Sequence, residues 1–138
     1  MNYLNPYAMK TSYICPHCRG IISPGNNIIL SAKAPNNKRG LILLHEEIGN
    51  YSSIKSDSIE IKEGEVVDFF CPICHESLNF KENFAKYKKI DSDLKESWII
   101  ISRIYGERIT FKIDDNMHID TYGEKLNRFV DPEWFLKM

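Results

Sequence analysis

The 138-residue chain reads as a mainly β protein: a pair of cysteine-bearing turns with a long β-rich insertion between them, then an antiparallel β-meander and a short C-terminal helix. Three observations predict this. All four cysteines lie in two tetrapeptides, Cys15-Pro16-His17-Cys18 and Cys71-Pro72-Ile73-Cys74. Short runs rich in isoleucine, valine, phenylalanine and tyrosine recur between Gly, Pro, Asn and Asp turn signals, which is how half-buried strands are punctuated. Leu126, Phe129 and Val130 share one helical face near the C-terminus, and Asp131-Pro132 ends it.

The tetrapeptides carry the chemistry. Two cysteines separated by two residues place both sulfurs on one side of a tight turn, and a tetrahedral zinc ion accepts four thiolates at about 2.3 Å. Each tetrapeptide therefore supplies half a tetrahedron. The proline after the first cysteine fixes its own φ and has no N–H, so it stiffens the turn. Ile14 leads into the first turn, and Phe69 and Phe70 lead into the second, so each turn sits at a strand end. Cys15, Cys18, Cys71 and Cys74 are the candidate ligands of one Zn2+, with iron as the alternative metal. Four thiolates close the shell, whereas a catalytic zinc keeps an open position. Two disulfides are the competing use of four cysteines. No apolar signal segment follows Met1, so a reducing, cytoplasmic compartment is the expectation, and with it free thiols rather than disulfides. A thioredoxin-like redox motif would occur once and open a helix; here there are two, and Pro24-Gly25 soon follows the first.

Ile14-Cys15-Pro16-His17-Cys18 and Asp68-Phe69-Phe70-Cys71-Pro72-Ile73-Cys74-His75 resemble the paired knuckles of zinc-ribbon proteins, and the second is also similar to the rubredoxin knuckle, whose four sulfurs hold iron. The resemblance covers these turns alone. It implies a structural zinc or, in the rubredoxin case, one-electron transfer at iron. Both families commonly place glycine directly after the second cysteine, where φ tends to be positive. Here those positions are Arg19 and His75, with Gly20 one residue late. Histidine adopts that conformation more readily than most residues.

In chain order, residues 1–11 form an N-terminal arm, 12–80 the knuckle lobe with its insertion, and 81–138 the meander lobe. The two lobes are expected to share one sheet system. Gly20-Ile21-Ile22-Ser23 reads as a short strand stopped by Pro24-Gly25. Residues 27–33 form a strand, 34–40 a polar loop, 41–44 a buried strand, 45–50 a turn and 51–55 a further strand. Ile59 and Ile61 alternate with charge and are expected to pair with 66–70 as a hairpin aimed at the metal, with 77–80 as the return strand. Residues 81–93 fit a helix or an edge strand, and the strongly β sequence after them favours strand. Residues 98–104, 108–113 and 117–121 make the meander. Residues 124–130 form the closing helix, and Trp134 and Phe135 cap a core.

Composition narrows the function. Lys plus Arg number 18 against 19 Asp plus Glu, so no global charge attracts phosphate or an acidic membrane. No run approaches the roughly 18 apolar residues of a membrane-spanning helix. His17 and His75 beside the knuckles, and His45-Glu46-Glu47, read as solvent-facing turn positions. Arg39, Arg103 and Arg108 with Tyr105 and Trp98 are the candidate nucleic-acid stacking surface, weighed against aromatic side chains facing the core. No serine-histidine-acid set or glycine-rich phosphate loop is present. The expected role is a non-catalytic interaction or regulatory module bound to another protein or to a second copy as a homodimer. A nucleic-acid-binding ribbon and an iron electron carrier are the alternatives.

Overall fold

The computed structural model describes residues 11–124 and 131–137. Within them the chain forms strands β1 (Ser12–Ile14), β2 (Asn27–Lys33), β3 (Arg39–His45), β4 (Ser53–Lys55), β5 (Asp68–Phe70), β6 (Asn79–Phe80), β7 (Phe84–Ile90), β8 (Glu96–Ser102), β9 (Ile109–Ile113) and β10 (Ile119–Gly123), then a 3-10 turn over Pro132–Lys137. The mainly β class is as the sequence predicts. There are two antiparallel sheets rather than one shared system. The first runs β1-β7-β8-β9-β10 with β6 attached to β7, and the second runs β4-β3-β2-β5. Both faces of the meander are apolar, so one face packs on the smaller sheet instead of extending it.

Alternation decides the faces. In β2, Ile28, Leu30 and Ala32 are buried while the residues between them are half-buried, the period-2 pattern of a strand with one face on a core. β3 pairs along the whole of β2, from Asn27 opposite His45 to Lys33 opposite Arg39. It therefore begins two residues inside the stretch expected as loop. Residues 84–90 form a strand, but an interior one rather than the expected edge, paired with β1 and β6 on one side and β8 on the other; Ala85 and Tyr87 take the inter-sheet face and Phe84 the other. The strand expected at 20–23 reduces to one bridge, Ile14 with Ile21.

One hairpin is corrected. Ile59 and Ile61 are buried, but they lie in an irregular segment and do not pair with β5. Antiparallel pairing of β5 with β2, Ser31 opposite Phe70, takes their place. The Val67 amide bonds Arg103 O at 2.8 Å, drawing the chain before β5 towards the meander.

The described residues form two cores. Ile28, Leu30 and Ile42 of the smaller sheet meet Ala85, Tyr87 and Ile99 of the meander in the first. The opposite face of the meander gathers Phe84, Ile100, Phe111 and Ile113 beneath Phe135, whose ring lies 5.3 Å from Phe84 and 5.1 Å from Phe111. Each such side chain contributes about 1.5–3 kcal/mol by leaving water. Phe135 thus caps a core as expected, while the Trp134 side chain, expected beside it, falls outside those described. The helix expected over 124–130 falls, apart from Glu124, outside the described residues, as does the N-terminal arm apart from Thr11.

Candidate metal centre

The two knuckles are copies of one another in backbone detail. The amide of Cys15 bonds Gly20 O at 3.0 Å and that of Arg19 bonds Cys15 O at 2.9 Å; in the second knuckle Cys71 bonds Glu76 O at 3.0 Å and His75 bonds Cys71 O at 3.0 Å. The bridges that close them are equivalent too, Ile14 with Ile21 and Phe70 with Ser77. Arg19 and His75 both take positive φ, 60° and 66°. The sequence places arginine and histidine where glycine is usual, and the backbone keeps the glycine-type turn.

Folding brings the pair together. β1 feeds the first knuckle and pairs with β7, while β5 and β6 flank the second and β6 also pairs with β7. Asp68, two residues before Phe70, fixes that second stem. Its Oδ1 accepts Arg103 Nη2 at 2.6 Å and Asn79 Nδ2 at 3.1 Å, and Asn79 Oδ1 accepts the Phe69 amide at 3.0 Å. Sequence reasoning gave Asp68, Asn79 and Arg103 no such role. The signal was a carboxylate interrupting the apolar run Val66-Val67-Asp68-Phe69-Phe70. The first knuckle is held by the bidentate pair of Arg19 with Glu96, at 3.3 and 2.8 Å.

All four sulfurs lie within 4.8 Å of one another. Cys15 Sγ is 3.8 Å from Cys74 Sγ, and Cys18 Sγ is 3.9 Å from Cys71 Sγ. A tetrahedron with metal–sulfur bonds of about 2.3 Å has edges of about 3.8 Å, so the spacing suits a four-thiolate ion. The cysteines are free rather than bonded in pairs. Amides supply the surrounding donors: His17 N lies 3.3 Å from Cys15 Sγ, Ile73 N 3.3 Å and Cys74 N 3.4 Å from Cys71 Sγ, and Gly20 N 3.4 Å from Cys18 Sγ. Such bonds spread thiolate charge and orient the ligands.

Environment separates the thiols. Burial pushes Cys15 up to about 12. Burial also pushes Cys71 up, but the amides of Cys74 and Ile73 and the adjacent sulfhydryls outweigh it, so its thiol ends below the ordinary value. Cys15 and Cys71 are fully buried, whereas Cys18 is exposed and Cys74 half-buried. The site therefore faces solvent on its Cys18 side. Ile73 crosses from the second knuckle to cover part of it, and a Cβ on Gly20 would sit 2.6 Å from Ile73 Cδ1 and 3.3 Å from Cys18 Sγ.

The other residues singled out in the sequence are placed as follows. His17 and His75 are exposed, and the His17 ring nitrogen Nε2 lies 3.1 Å from Ser77 O, a contact between the knuckles. His45 Nδ1 accepts the Glu47 amide at 3.0 Å in a half-buried turn. Arg39 lies over the Phe70 ring, Arg103 on Asp68, and Arg108 beside Glu124 at 3.6 Å. Trp98 carries Lys86 and Lys88 over its ring. No described helix is long and apolar enough to cross a membrane. No family model, curated protein or solved structure matches the chain.

Proposed function

We propose that Cys15, Cys18, Cys71 and Cys74 bind one structural Zn2+ in a zinc-ribbon-type site, and that the chain is a non-catalytic module whose knuckle tips dock another protein in a reducing cytoplasm. The observation that carries the metal is the approach of two matching knuckles to tetrahedral edge lengths of 3.8 and 3.9 Å, with amide donors on the sulfurs. Four thiolates satisfy zinc completely, so its contribution is to folding rather than to chemistry. Iron would fit the same sulfurs, and metal analysis separates the two.

The docking surface rests on what the clamp presents. Ile21 and Ile73 are 55% and 54% exposed on the two knuckles, beside exposed His17 and His75, and a metal would fix their spacing. A rigid apolar pair with polar flanks is the composition of a protein-docking patch. The intramolecular engagement of Arg39, Arg103 and Arg108 favours a protein partner over nucleic acid. The test is affinity capture from the source cell with the zinc-loaded chain and with an Ile21→Asp, Ile73→Asp variant of equal zinc content. A partner retained by the first and lost by the second supports the reading; capture of nucleic acid, or equal retention by both, overturns it.

A further inference from the structure

A cleft of ≈ 250 Å³ opens between the two sheets, and none of the four cysteines lines it. Its floor is apolar, with Ile28, Ile42 and Leu44 facing Ile99 and Ile101. Tyr13, Tyr51, Tyr87 and Tyr105 line the walls. Their phenol groups are in use where the bonds are defined: Tyr13 Oη donates to Glu46 O at 2.6 Å, and Tyr51 Oη lies 3.0 Å from Thr110 Oγ1 and donates to Tyr122 O at 3.2 Å. Among the described residues no buried side-chain nitrogen or oxygen lacks a hydrogen-bond partner. The side chains of the wall thus hold no spare buried donor for an anion or a neutral polar ligand.

Charge at the rim points the other way. Glu46, Glu47, Glu63 and Glu107 line the cleft. The arginines that share it have partners of their own: Arg103 donates to Val67 O and to Asp68, and Arg108 lies 3.6 Å from Glu124. His45 Nδ1 is occupied by the Glu47 amide at 3.0 Å. No described residue forms an ion pair with Glu46, Glu47 or Glu63.

The geometry points to a binding site for a small organic cation, an amine or quaternary ammonium on an aromatic or short aliphatic body. The body fills the apolar cleft and the cation sits between tyrosine rings and rim carboxylates. Ring faces attract cations through their quadrupole, and a carboxylate adds Coulomb attraction. A dry cavity of about 150 Å³ holds benzene, so this cleft admits about ten non-hydrogen atoms. The inference stands apart from the metal reading, because the cleft shares no ligand with it.

The test titrates the full-length protein with 2-phenylethylamine, and with 2-phenylethanol and phenylacetate as neutral and anionic probes of similar size, by calorimetry and ligand-observed NMR. The amine is expected to bind in the millimolar range or tighter, the alcohol more weakly, and phenylacetate least. Glu46→Gln with Glu63→Gln should weaken the amine on the order of tenfold, two partly exposed charge contacts, and leave the alcohol unchanged. Ile101→Phe should block both. The carboxamide pair changes charge without volume, so it decides the matter even where the larger side chain is not accommodated. Equal affinity for the three probes, preference for phenylacetate, or no saturable binding of any below about 10 mM would overturn the proposal.

Discussion

Arg19 and His75 occupy equivalent left-handed positions, each one residue past the second cysteine of its knuckle, and each amide bonds the carbonyl of the first cysteine at 2.9 and 3.0 Å. A side chain in this conformation costs about 1–2 kcal/mol relative to glycine. The fold bears that cost twice. At Arg19 the bidentate pair with Glu96 offsets part of it, whereas the exposed His75 ring has no comparable bond among the described residues.

His75→Gly is therefore expected to stabilise the protein by up to about 1 kcal/mol, the strain relief being reduced by the extra freedom of glycine in the unfolded chain. His75→Val should destabilise it by a similar amount or more. Arg19→Gly should come out near neutral, because it removes the Glu96 pair along with the strain. Urea midpoints at constant m-value measure all three.

Metal affinity should depend steeply on pH. A thiolate must lose its proton before it can bind, and burial holds the Cys15 thiol up to about 12, so protons compete with metal throughout the neutral range. The sign is definite: acid releases metal. Chelator competition should show affinity rising by more than about one log unit per pH unit between pH 6 and 8. A flat profile would mean that the metal does not replace thiol protons.

At the alkaline end, stability should fall as pH rises. Burial, with the nearby Glu46 charge, pushes the Tyr13 phenol up to about 12 from an ordinary value near 10. Above pH 10 the unfolded chain releases this proton while the folded chain retains it, so the contribution is complete below pH 10 and lost as pH climbs through 12. The buried Tyr87 phenol is raised as well, again by desolvation first. Tyr13→Phe should cost about 1 kcal/mol near neutrality through loss of the bond to Glu46 O, and should flatten the alkaline decline. Phenolate absorbance followed beside circular dichroism checks both effects.

Phe135→Ala should cost about 3–5 kcal/mol. Its ring is fully buried and packs on Phe80, Phe84 and Phe111, with centroids 5.1–5.8 Å apart across the cluster. This cluster lies on the face of the meander opposite the smaller sheet, so metal stoichiometry in the folded fraction should not change. Thermal melts and metal analysis of one preparation test both halves of that statement.

The candidate site was legible because its signals are local. Two residues between cysteines, a proline after the first and an apolar lead-in are enough to define a knuckle, and Arg19 and His75 take the backbone that the pattern asks for. The meander was legible for the same reason, since its hairpins join neighbours in sequence. Ile59 and Ile61 misled because burial and strand share the same alternating pattern; they fill the inter-sheet core from an irregular segment. The pairing of β1 with β7, Ser12 opposite Ile90, leaves no local mark. Nor does the link from Arg103 to Asp68, because a side-chain bond across 35 residues is set by the packing of the sheets.

The most direct measurement is the metal content of protein purified without added metal, with reactive thiols counted before and after chelation. The account predicts one zinc per chain and four thiols that react only once the zinc is removed. Stoichiometric iron would contradict the zinc assignment, and protein with neither metal nor free thiols would contradict the four-thiolate site itself.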